Sequence, residues 1–191
     1  IFRCDAGTIS ELGTGHLQRC ITLSILLKKR FSLKKKDILF LIKTKDKHSI
    51  SKKILNKNNF KFVSINNKIK DYSENEINLI NNYKSNLIVI DRLGSINKKF
   101  IYDLKKNYKK ILLFDDSSCN RDLVDLAINS LILNVKKSKK TLTGHQFNIV
   151  PGFLANKEKN RRYKRSQTIF ISFGGYDKNN LTVKLVKNLL K

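Results

Sequence analysis

Methionine and tryptophan are absent from these 191 residues, proline occurs once and glycine eight times. So little Pro and Gly excludes collagen-like and Pro/Gly-rich low-complexity chains. A 40% hydrophobic, 29% charged composition is that of a globular protein with enough apolar side chains to bury a core. No uninterrupted apolar stretch approaches the roughly 18 to 20 residues that cross a bilayer, and no basic-then-apolar leader opens the chain, so neither a membrane span nor secretion is expected. Cysteine is scarce as well. Cys4, Cys20 and Cys119 are odd in number, widely spaced and form no C-x-x-C pair, which fits reduced thiols in a cytoplasm. The missing Met, a bulky Ile1, and a helical stretch from Leu181 to Lys191 without a capping signal read as a piece of a longer protein.

Acidic residues are also few: 15 Asp and Glu face 40 Lys and Arg, for a net charge of +25. The excess does not read as a nucleic-acid surface. Lys outnumbers Arg 32 to 8, whereas phosphate-reading surfaces favour the Arg fork and interleave aromatic side chains for base stacking. Together with 21 Asn and 22 Ile, the lysines point to A/T-rich codons on solvated faces. No helix-turn-helix, zinc-finger or RNP motif is present, so no nucleic-acid partner is expected.

Short runs rich in Ile, Leu, Val and Phe recur at Ile1 to Cys4, Ile38 to Ile42, Phe60 to Ile65, Leu87 to Ile90, Ile111 to Phe114, Leu126 to Ile128 and Thr168 to Phe173. They read as strands buried on both faces. Between most of them, apolar residues fall at helical spacing, as in Leu17, Cys20, Ile21, Ser24 and Leu27. This alternation predicts an α/β fold, a doubly wound and mainly parallel Rossmann-like sheet. Residues 1–150 form the first domain, the basic stretch 151–167 around Pro151 is a linker, and 168–191 begin a second domain.

In such sheets the ligand lies beyond the carboxyl ends of the strands. Those ends carry Asp5, Asp91, Asp115, Asp116 and Asn129, and after the last run Gly174, Gly175 and Asp177. Each has an ordinary alternative as a helix cap or strand terminator. Gly13-Thr14-Gly15-His16 is the sharpest signal, because glycines let the backbone approach a ligand and a helix N-terminus attracts anions. A phosphate or diphosphate is the expected guest. The spacing matches neither G-x-G-x-x-G, position 18 being Gln18, nor a P-loop. His16, in the first helical turn, is expected as a neutral imidazole that accepts a proton. Arg19 lies on the same face and either contacts the phosphate or is solvated. Gly174-Gly175 repeats the strand, turn, helix logic. His48, between Lys47 and Ser49, reads as a surface residue, and Cys119 as incidental.

Three segments carry a family resemblance: Ile1-Phe2-Arg3-Cys4-Asp5; Gly13-Thr14-Gly15-His16 with Arg19-Cys20; and Phe173-Gly174-Gly175-Tyr176-Asp177 with Asn180-Leu181-Thr182. Together they resemble the nucleotide-sugar hydrolase of pseudaminic acid biosynthesis and its spore-coat polysaccharide glycosyltransferase-like relatives. The resemblance implies a two-domain GT-B fold and water attack on the anomeric carbon of a UDP-sugar, with His16 as base and with no metal or cofactor. It implies that Arg3, Asp5, Gly13, Thr14, Gly15, Arg19, Asp91, Asp115, Asp116, Asn129, Gly174, Gly175 and Asp177 bind substrate. Where the hydrolase has Asp-x-Tyr, this chain has Asp91-Arg92-Leu93. That form is similar to relatives found with N-acylneuraminate cytidylyltransferase domains, which leaves glycosyl transfer, or a binding domain fused to such a partner, as the alternatives.

Overall fold

The computed structural model describes residues 1–8, 12–131, 138–151, 169–172, 177 and 179–190. Within them the chain alternates β1 (Phe2–Cys4), α1 (Gly15–Phe31), β2 (Leu39–Lys43), α2 (Ser49–Lys57), β3 (Lys61–Ile65) and α3 (Glu74–Asn81). It continues through β4 (Ser85–Asp91), α4 (Lys98–Lys105), β5 (Tyr108–Phe114), β6 (Leu126–Asn129) and β7 (Thr141–Thr143), and ends with α5 (Leu181–Leu189). The seven strands form one parallel sheet in the order β3-β2-β1-β4-β5-β6-β7. The fold is therefore α/β and Rossmann-like. Its strand order reverses between β1 and β4, where a doubly wound sheet opens a crevice.

Side chains alternate across each strand and separate two cores. On one face Phe2, Cys4, Phe40, Ile42 and Val89 meet Leu17, Cys20 and Ile21 of α1 and Leu55 of α2. On the other, Leu41, Ile88, Ile90, Ile111 and Leu113 meet Ile77 and Ile80 of α3 and Phe100, Ile101 and Leu104 of α4. Helices α3 and α4 start where Ser73 and Asn97 accept hydrogen bonds from Glu76 N and Phe100 N. Thr14, before α1, makes no such side-chain bond, and the first turn of α1 carries no acidic residue. Among the described residues no side chain caps that helix, which leaves its first N–H groups open at the crevice.

Three expectations need correction. Strand β7 was not foreseen, because Thr141-Leu142-Thr143 is short, half-buried and at the sheet edge, without an apolar run to mark it. The strand expected at Thr168 to Phe173 does not form over residues 169–172, where Ile169 and Phe170 are exposed. An alternating apolar run becomes a strand only beside a sheet edge, and these residues are not among the seven strands. His48 is buried rather than on the surface: its Nδ1 lies 3.0 Å from Ala6 O, drawing the start of α2 onto the loop after β1. Among the described residues, no helix is long and apolar enough to cross a membrane.

Candidate functional site

Asp91 and Arg92 are consecutive at the carboxyl end of β4, so their side chains leave on opposite faces. Asp91, fully buried, turns to α1. Its Oδ1 lies 2.7 Å from His16 Nδ1, and its two oxygens receive Arg19 Nε and Nη2, both at 2.6 Å. Cys20 Sγ reaches Oδ2 at 3.7 Å. His16, Arg19 and Cys20 meet one carboxylate because positions three and four apart share a helix face. Arg19 Nη1 makes a short ion pair with Asp115 and lies 3.5 Å from Ser130 Oγ, and its guanidinium lies 4.8 Å from the centre of the Phe114 ring. Burial works against the Arg19 charge, yet Asp91 and Asp115 outweigh it and hold the guanidinium more firmly protonated than usual.

The glycines before α1 face open space. Among the described residues, a Cβ placed on Gly13 or Gly15 meets nothing within 4 Å, and neither residue has a left-handed φ. Gly7 is different: a Cβ there would meet Leu12 O at 2.8 Å, where the loop closes through Gly7 N donating to Gly13 O. Asp115 has φ of 45°, an uncommon conformation for a non-glycine residue, and its Oδ1 accepts from Leu131 N at 3.1 Å. Asp116 ties loops together through Ile96 N and Ser118 N, both at 2.7 Å. Asn129 Nδ2 donates to Asp116 O at 2.9 Å.

Arg92 turns to α3. It forms a fork on Glu76, at 2.5 and 2.8 Å, and stacks 3.9 Å from the centre of the Tyr72 ring. Glu76 also receives Arg3 Nε at 2.8 Å, and Arg3 pairs with Asp5 at 2.8 Å. Asp5 accepts from Lys43 N at 3.0 Å, while Lys43 Nζ pairs with Asp71 at 2.6 Å. Burial alone would favour the neutral acids, but the guanidiniums prevail: Asp5 sits well below its ordinary range and Glu76 is lowered to about 2. Beside this network lies a cavity of about 490 Å³ whose walls include Asp5, Leu12, Lys43, His48, Asp71, Arg92 and the half-exposed Leu93.

The expected site residues therefore do not converge on one place. His16, Arg19, Asp91 and Asp115 come together on the α1 side, with Gly13, Thr14 and Gly15 at its edge. Arg3 and Asp5 belong to the α3 side, while Asp116 and Asn129 secure the β5 and β6 loops. Asp177 caps α5, accepting from Leu181 N and Thr182 N at 2.8 Å; Gly174 and Gly175 lie outside the described residues. Sequence reasoning missed Lys43, Asp71, Glu76 and the burial of Arg92. Among the described residues no group of three His, Cys, Asp or Glu is placed to hold a metal ion.

No protein-family model matches the chain, and no solved structure matches it. The chain is similar to an uncharacterized protein of Methanocaldococcus jannaschii, MJ1062, with 28% identity over 197 aligned residues. The match takes in 94% of this chain and 38% of that relative, so the chain spans about two fifths of the length of the curated relative it matches.

Proposed function

We propose that this chain carries the base-bearing domain of an enzyme that hydrolyses a nucleotide-activated sugar. Water attacks the anomeric carbon with inversion and UDP leaves, within the biosynthesis of a nonulosonic acid such as pseudaminic acid for surface polysaccharide. The observation that carries the reading is the His16–Asp91 pair at 2.7 Å, set at the N-terminus of a helix beside the β1/β4 crevice. An ionised carboxylate only accepts, so His16 donates from Nδ1, and in the neutral imidazole Nε2 is then the proton acceptor. With a side chain 19% exposed, the imidazole is open enough to meet a water.

The open glycine backbone and the uncapped amides of α1 suit the diphosphate, whose charge builds as the sugar bond breaks. The cavity supports an uncharged sugar. Lys43, Lys47 and Arg92 are balanced there by Asp5, Asp46 and Asp71, a mixed lining that favours hydroxyl and amide groups over a net charge. Leu12 lines this cavity and directly precedes Gly13, linking the sugar and phosphate regions.

Leu93 favours a second reading. It stands where the hydrolase resemblance has Tyr and offers no hydroxyl, which suits a GT-B glycosyltransferase whose acceptor hydroxyl replaces water, or a binding domain fused to a cytidylyltransferase. The test is to incubate the whole protein with UDP-linked di-N-acetylated deoxy-sugars in isotopically labelled water. Label at the anomeric oxygen of a released sugar, lost with His16→Ala, is the expected result. Consumption of donor only after a sugar acceptor is added establishes transfer instead.

A further inference from the structure

Arg19 is tied to protein carboxylates on both sides, so it is not free to serve as a simple phosphate contact. Its Nε and Nη2 grip Asp91 while Nη1 is committed to Asp115 and Ser130. The carboxylate that orients His16 is thus the one that Arg19 holds.

We propose that Arg19 is a positioning residue that divides Asp91 between itself and His16, and so sets the proton balance of the base. This rests on the reading of His16 as proton acceptor. The bidentate grip fixes the plane of the Asp91 carboxylate, leaving Oδ1 directed at His16 Nδ1. Among the described residues, the charged groups joined to the imidazole in this cluster are Asp91 on β4, which it meets directly, then Arg19 on α1 and, through Arg19, Asp115 just past β5; Cys20 of α1 reaches the same Asp91 carboxylate. Cys20 is uncharged, its thiol pushed well up by burial and by Cys4. Arg92, next in the chain, faces Glu76 on the other side of the sheet. Two carboxylates and one guanidinium leave the cluster one negative charge when His16 is neutral and none when it is protonated. The cluster has room for one proton. Without Arg19 the two carboxylates would lose their guanidinium counter-charge, a balance that favours the protonated form of a neighbouring imidazole.

The experiment follows the His16 imidazole by NMR through a pH titration, with His16→Asn to assign its signal, and measures the pH-rate profile of the whole protein. Arg19→Gln is expected to move the imidazole midpoint up by about one pH unit and to carry the acid limb of the rate with it, a roughly tenfold loss of turnover on that limb. Arg19→Lys keeps the charge but not the fork, so the midpoint is held within a few tenths of a unit while kcat falls and KM stays. A folded Arg19→Gln protein with an unmoved midpoint overturns the proposal. Should that variant fail to fold, Asp115→Asn provides the second reading: removal of one negative charge is expected to lower the midpoint, and no change there overturns the proposal equally. If the midpoints move as stated but the whole protein hydrolyses no sugar nucleotide, the role of Arg19 stands and the proposed reaction fails.

Discussion

Asp5 and Asp91 end adjacent parallel strands one residue out of step: the register partner of Asp91 is Cys4. Since successive residues of a strand point to opposite faces, that single step sends Asp91 to α1 and Asp5 to the α3 side. Asp91 serves His16 and Arg19, whereas Asp5 serves Arg3 and the backbone of Lys43. The two carboxylates have different work.

Asp91→Asn separates charge from shape. The amide keeps one oxygen for Arg19 but offers His16 no anionic acceptor, so the donor at Nδ1 is no longer favoured and Nε2 ceases to be a dependable base. Turnover by the whole protein is expected to fall by about 10²-fold or more, with a small change in KM. Steady-state kinetics check this; unchanged kcat would remove Asp91 from the mechanism. Asp5→Asn, which does not touch His16, should spare kcat and act on stability and on sugar binding in the cavity that Asp5 lines.

Glu76 sits fully buried between Arg3 and Arg92, and its pH behaviour has a definite sign. Its carboxyl is lowered from 4.5 to about 2, so the unfolded chain binds the proton more readily than the folded one. The resulting stability, about 3 kcal/mol, is fully present above pH 4.5 and disappears as pH falls towards 2. Glu76→Gln should flatten that part of the curve and lower stability at neutral pH, because two buried guanidiniums lose their counter-charge. Urea denaturation of both proteins between pH 2 and 7 is the measurement. Parallel curves would show that Glu76 carries none of the acid dependence.

The alternation of strands and helices was legible because apolar runs and helical spacing are local, and so was the polar character of each strand end. What joined those ends was not. Register and face are properties of strand pairing, so Asp5 and Asp91 looked equivalent in the chain although they serve opposite layers. Glu76 lies in the first turn of a helix, where an acid is common, and nothing near it in sequence announces Arg3, 73 residues away. His48 lies among polar residues and was read as solvated, yet its contact with Ala6 across 42 residues buries it. Arg19 was recognised as sharing the face of His16. Its double commitment to Asp91 and Asp115 depends on contacts 72 and 96 residues away.

Gly15 separates folding from binding. It is the first residue of α1, its φ lies outside the left-handed region, and an added Cβ meets nothing within 4 Å. Among the described residues nothing requires glycine there. Alanine should be accepted and should stabilise by about 0.4–1 kcal/mol, since the unfolded chain loses freedom that the helix does not use. The proposed reaction predicts the opposite sign for ligand. A diphosphate drawn to the uncapped amides of α1 needs the close backbone approach that a methyl group obstructs. Gly15→Ala in the whole protein is therefore expected to melt slightly higher yet bind UDP about tenfold more weakly, a difference of about 1.4 kcal/mol. Calorimetric titration with UDP beside a thermal melt reads both at once. A higher melting temperature with undiminished UDP affinity would move the phosphate away from this helix, while a lower melting temperature would mean that the fold itself uses the glycine.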